Sequence, residues 1–317
     1  MAVVSEHAAQ TGRLCLGIVK RAALRCWGRD VMLYVGGVSF FALLALFPAL
    51  TLLIGFYSAV FTPEQAEMQT QAFATILPEG ARGLVEHELH RLSVTSARTI
   101  SVQSGLALII GAYAAHRGFK ALLAGLTFIH DEEEPWGFLR FNFIAFVVAL
   151  GSFVMATSLS GLIIASRIVK TEAHLRTGQE FSWFTNEWLW ISLFGVFGLS
   201  CLYRWAMSHS GTVIWRAAII GGVAATALGV CASGASAFYV NQIMHLGATY
   251  GSIATVIVFL IWVSWNVNAV FFGGALATEV EIVLDAYNAQ NAPAAAPAAA
   301  TAESQPSLTS PERAFRR

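Results

Sequence analysis

Residues 250–280 read YGSIATVIVFLIWVSWNVNAVFFGGALATEV, the most hydrophobic stretch of the chain. A bilayer core of about 30 Å is crossed by roughly 20 apolar residues in a helix, because its interior offers no water to loose backbone groups. The stretch exceeds that length, so a membrane is the first solvent to consider. Composition agrees: 56% of the 317 residues are hydrophobic, 12% are charged, and the mean hydropathy is +0.62, above that of an ordinary soluble domain.

Five further segments reach the same length. Residues 34–61 carry no charge, and residues 100–128 are uncharged until His116, Arg117 and Lys120. Residues 141–165 and 188–207 are charged only near their edges, the latter at Arg204, and residues 213–240 begin with Arg216 and continue through small residues. The expected fold is therefore all-α: a polytopic membrane bundle of six transmembrane helices over residues 34–283. A cytoplasmic segment, residues 1–33, precedes it. An Ala-, Pro- and Ser-rich tail, residues 284–317, follows it and is expected to be disordered. Residues 63–92 read as an amphipathic extramembrane helix between the first two spans. The first apolar run begins only near residue 31 and lasts a full span, which predicts that the chain keeps its start rather than losing a signal peptide.

Lys and Arg concentrate in cytoplasmic loops, so their distribution sets orientation. With six spans and both termini inside, thirteen basic residues face the cytoplasm, among them Arg117, Lys120, Arg140, Arg204 and Arg216, and six face outward. The expectation is a multi-pass protein of the bacterial inner membrane with both termini cytoplasmic. Net charge is zero, so no basic excess points to wrapping of nucleic acid by the whole molecule. Cys15, Cys26, Cys201 and Cys231 contain no C-x-x-C pair, so neither a disulfide framework nor a zinc site is expected.

Two polar motifs invite catalytic readings. In EHELHRL, residues 86–92, His87 and His90 stand three apart, whereas a zinc-binding H-E-x-x-H places its histidines at i and i+4. The run HDEEEPW, residues 130–136, has its acids consecutive, about 100° apart on a helix, and they cannot all converge on one ion. A two-metal nuclease needs carboxylates around ions about 3.5–4 Å apart, generally from several segments. The run reads better as a cytoplasmic turn in which Pro135 ends a helix and Trp136 sits at the interface. Its Glu132 and Glu134 would pair with Arg140, Arg204 or Arg216 and fix the inner loops. No metal, cofactor or catalytic residue is expected.

His116, Arg117 and Lys120 share a face near the inner end of the second span, where charge is costly and faces a partner or a cavity. They either extend toward lipid headgroups or line a polar cavity for an anion. Pro48 removes a backbone hydrogen bond within the first span, and such breaks adjoin substrate sites in transporters. Tyr250, in the outer connection, and Asn266, in the sixth span, complete the candidate substrate-binding set with Arg117, Lys120 and Pro48, although interhelical bonding is the simpler role for Asn266. Gly221, Gly222, Ala225, Gly229, Ala232, Gly234 and Ala237 recur at three- and four-residue intervals, which permits close helix packing.

The motifs SFFALLALFP (39–48), RGFKALLAGLTFIHDEEE (117–134), LYRW (202–205), ATYGSIATVIVFLIW (248–262) and GGALATEVE (273–281) together resemble the YihY/virulence factor BrkB family, once labelled ribonuclease BN. The resemblance covers about residues 20–285. It implies a six-helix bacterial inner-membrane protein, for which export of lipid or lipopolysaccharide precursors and, in one branch, serum resistance are proposed. The ribonuclease label is regarded as mistaken. Three positions depart from the family pattern. The last motif, often G-A-E-x-N, is here Gly274-Ala275-Leu276-Ala277-Thr278, so its acid is missing and Glu279 lies three positions on. Thr127 stands where Asn is common, and no Pro follows LYR. A proton-relay role for the missing acid does not transfer.

The leading expectation is a non-enzymatic membrane protein that binds or moves an amphipathic or anionic substrate, such as a lipid precursor. Arg117 and Lys120 would hold the anion. A non-transporting scaffold of the cell envelope is the second reading, and a membrane-tethered ribonuclease the third. Expected partners are membrane lipids, anionic headgroups included, with no nucleic acid; a homo-oligomer is compatible with the sequence.

Overall fold

The computed structural model describes residues 2–27, 30–60, 102–131, 137–177, 187–207, 212–239 and 253–291. The amphipathic helix and EHELHRL segment anticipated within residues 63–92, together with Glu132, Glu134 and Tyr250, lie outside the described residues. Among those described there are seven α-helices and no strand. They are α1 (Ala2–Trp27), α2 (Val31–Val60), α3 (Val102–Ile129), α4 (Phe138–Thr177), α5 (Glu187–Ala206), α6 (Trp215–Phe238) and α7 (Ala254–Asn291). The chain divides into two compact units, Met1–Ile282 and Val283–Arg317.

Four helices are long and apolar enough to cross a membrane, over Phe138–Ile163, Trp188–Ala206, Trp215–Ser236 and Val256–Gln290. Arg13–Trp27 and Val31–Leu46 pass the same test only as a pair, bent by 69°. Helix α3 is not among the four, since His116, Arg117 and Lys120 interrupt its apolar run. The apolar side chains of the spans point outward as well as inward: Phe146, Val147, Leu150 and Val154 of α4, and Ile219, Ile220 and Val223 of α6, are exposed. In water such a surface would drive aggregation, whereas hydrocarbon solvates it.

Two features differ from the sequence-based expectation. Residues 1–33 contain a helix rather than a polar lead-in, because Ile18, Ala22, Arg25 and Cys26 recur at helical spacing and turn one face of α1 toward the bundle. At the other end α7 runs past residue 284 to Asn291, since VEIVLDAYNAQN contains no helix breaker before Pro293.

Helix α2 lies along α3 and α5 along α6, with α4 touching both α3 and α5. Small residues set the closest crossings. A Cβ added at Gly273 of α7 would meet Gly221 O at 2.7 Å and the Tyr203 hydroxyl at 2.7 Å. One added at Gly111 of α3 would run into the Pro48 ring of α2. Tyr203 is fully buried and donates its hydroxyl to Val270 O at 2.7 Å, tying α5 to α7. Of the small residues singled out in α6, Gly221 and Ala225 sit at this packed crossing and Gly222 lies against Val196 and Ser200 of α5, while Gly234 faces open space.

Candidate functional site: a charged junction at one end of the bundle

Helix α3 ends at Ile129, where Asp131 adopts a left-handed conformation with φ 64°. Asp tolerates that region because its short side chain bonds locally. The helix therefore stops just before the acidic run and ahead of Pro135, which had been expected to end it. The turn brings Asp131 onto Arg25 of α1, to which it is hydrogen-bonded. Arg25 also donates Nη1 to Ile129 O at 3.0 Å, one of the carbonyls left open at a helix end.

Glu279 of α7 is the buried centre of the junction, with 6% of its side chain exposed. Arg25 reaches it with Nε to Oε1 at 2.9 Å and Nη2 to Oε1 at 2.7 Å, while Arg21 donates Nε to Oε2 at 2.8 Å. Both carboxylate oxygens thus accept charge-assisted bonds, the arrangement that allows a charge out of water. Burial lowers the Arg25 pKa, but the hydrogen bonds and charges of Glu279 and Asp131 raise it on balance, so Arg25 is cationic.

A second group adjoins the first. Thr278 donates to Gly274 O at 3.1 Å, which leaves its oxygen to accept from His130 Nδ1 at 2.9 Å. On the other side of the ring His130 Nε2 faces Glu281 Oε2 at 3.8 Å. Helix α6 begins without a side-chain cap at Ile214; Glu281 supplies the missing acceptor from α7, taking Ile214 N at 3.1 Å.

The residues singled out in the sequence occupy other positions. Lys120 donates Nζ to Asn142 Oδ1 of α4 at 2.8 Å and lies 5.3 Å and 5.6 Å from the Phe138 and Phe141 ring centroids. His116 shares the same oxygen through Nε2 at 3.3 Å, and its buried Nδ1 has no hydrogen-bond partner. Arg117 is exposed and turns instead toward α2, 5.7 Å from the Phe41 centroid. Asn266 bonds Trp262 O at 2.8 Å and Ser233 Oγ at 3.3 Å, joining α6 to α7. Arg204 donates to Val213 O at 2.6 Å and stacks on Trp215 at 4.7 Å, while Arg140 lies on the exposed first turn of α4. Pro48 packs against α3 at Gly111.

Reasoning from the sequence missed Arg21, Arg25 and Glu279 as a unit. Their pairing spans separations of 254 and 258 residues, which no local pattern encodes. One signal was present: Glu279 is an acid on the heels of a long apolar run, and Arg21 and Arg25 stand at helical i, i+4 spacing.

Apolar helices with outward-facing hydrocarbon side chains and charges gathered at one end define a membrane protein. The chain belongs to the Virulence factor BrkB family, whose profile matches residues 22–298. It is similar to a Bacillus subtilis (strain 168) protein, YfkH, whose name calls it ribonuclease-like; the two are 23% identical over 252 residues, covering 75% of this chain and 86% of the relative. No solved structure matches.

Proposed function

We propose that this is a six-span protein of the inner membrane, termini in the cytoplasm, that binds or moves an amphipathic anionic molecule such as a lipid precursor. Helix α3 counts as a span in this reading, since Asn142 and two aromatic rings surround the Lys120 ammonium and the remaining cation, Arg117, sits over Phe41. The observation that carries the reading is Arg117 itself: an exposed guanidinium one turn from Lys120 on a mainly apolar helix. A phosphate or carboxylate headgroup fits that combination, because a cation at membrane depth is stabilised by an anion. Basic residues collect at the end where α3 closes, with Lys20, Arg21, Arg25 and Arg204 alongside the Glu279 junction, and the positive-inside rule supports a cytoplasmic side for that end.

The test is purification from native membranes followed by mass spectrometry of retained lipids, with wild type beside Arg117→Ala. Selective loss of one acidic lipid class in the variant supports the reading. An unchanged lipid profile removes Arg117 as the binding residue. Cysteine-accessibility labelling from either side of right-side-out vesicles checks the span count, with labels before α3 and after it expected on opposite faces.

A further inference from the structure

Helix α1 presents two faces that differ in chemistry. Toward the bundle it turns Ile18, fully buried Ala22, Arg25 and Cys26. Away from it, Leu16, Val19, Ala23 and Trp27 form a stripe at three- and four-residue spacing; Leu16 is 71% and Trp27 92% exposed. Beside that stripe run Arg13, Lys20 and Arg21, and no acid occurs from Arg13 to Trp27. An indole that open is covered by none of the described residues.

Where α1 sits decides what covers it. Its last turn is fixed by Arg25 to the end of α3 at Ile129 O, and Glu279, which Arg25 also holds, lies two residues from the Glu281 that caps the start of α6. At that level α5 and α6 point Trp205 and Trp215 outward, paired edge to face at 5.8 Å and 55% and 42% exposed. Exposed tryptophans at one level of a membrane bundle mark the headgroup region. The 69° bend between Arg13–Trp27 and Val31–Leu46 turns α1 away from the direction of α2 at that depth.

We propose that α1 lies in the headgroup layer of an anionic lipid bilayer, its Leu16–Trp27 stripe immersed and Arg13, Lys20 and Arg21 on lipid phosphates. The partner is the bilayer surface, because the face combines an apolar stripe with the positive charge of Arg13 and Lys20, for which α1 holds no acid from Arg13 to Trp27, and anionic lipids complement both. Arg21 links that surface to the interior, since it is half exposed, with a side-chain accessibility of 53%, and also holds Glu279. The proposal concerns a face on α1 and stands whether or not Arg117 binds a substrate.

The test uses the full chain with its four cysteines replaced by serine, Leu16→Cys labelled with the fluorophore NBD, one protomer per nanodisc. Discs of phosphatidylcholine are compared with discs in which about a third of the lipid is phosphatidylglycerol. In the anionic discs the label should be blue-shifted, quenched by shallow nitroxide lipid and protected from aqueous acrylamide. Replacing the anionic lipid, or introducing Arg13→Glu with Lys20→Glu, should raise quenching by the neutral quencher acrylamide by roughly threefold or more, as loss of cation–headgroup attraction predicts. Salt raised from about 50 to 500 mM should reproduce part of that rise in the unreversed chain, which guards against misfolding of the charge variant. Equal acrylamide quenching in both discs overturns the proposal. So does protection that persists through charge reversal and salt, and so does protection found only with two protomers per disc, which assigns the face to a second copy. Lipid retention at Arg117 is read separately, and its loss leaves this result untouched.

Discussion

The Glu279 junction and the Lys120 platform handle charge beside a membrane in opposite ways. At the junction two cations from α1 converge on one buried carboxylate of α7, and helices more than 250 residues apart in sequence are joined. At the platform a single cation rests on a neutral amide and two aromatic rings supplied by the next helix, only 22 residues away. The first arrangement is closed, with both carboxylate oxygens occupied; the second leaves net positive charge for something else to answer. That difference separates a structural lock from a candidate binding surface, and it can be broken or sharpened by substitution.

The largest effect is expected at the lock. Glu279→Ala leaves Arg25, itself only 14% exposed, with Asp131 and a carbonyl, and should cost about 3–5 kcal/mol, read as a fall in the unfolding midpoint in detergent. Gly273→Ala comes next. Its new methyl meets Gly221 O and the Tyr203 hydroxyl, forcing α6 and α7 apart near the junction at about 1–3 kcal/mol. Tyr203→Phe removes the hydrogen bond to Val270 O and should cost about 1 kcal/mol, measurable by the same midpoint. At the platform, Asn142→Ala should move the midpoint less than Glu279→Ala while altering retention of acidic lipid, because it unmasks Lys120 and His116 together. Arg117→Ala should leave the midpoint unchanged and alter only lipid retention. A large loss of stability there would erase the distinction between lock and surface.

Much of the fold was legible because membrane crossing is a one-dimensional property: the four spans from Phe138 onward coincide with the apolar runs at 141–165, 188–207, 213–240 and 250–280. The small-residue spacing around Gly221 likewise announced a close crossing, though its partner Gly273 did not stand out. The end of α3 was misplaced because Pro135 is the conspicuous breaker, whereas the helix actually closes through a left-handed Asp131 that Arg25 engages. Asn266 proved to have the interhelical bonds that its setting favoured. The charged junction was the part not legible. Arg25 reads as one of several basic residues before the first span, and Glu279 as a departure from a motif.

The sequence by itself determined that the chain is a helical membrane protein of the BrkB family, since run length and hydropathy answer to the bilayer and motif order to descent. Only the tertiary structure decided that α1 is pinned to the base of α7, that the acids of α7 serve Arg25 and the start of α6, and that Arg117 and Lys120 point to different neighbours. Those outcomes depend on which helix ends meet. Through-space pairing at about 3 Å places residues by helix crossing and turn geometry, and neither is written in any local window of the chain.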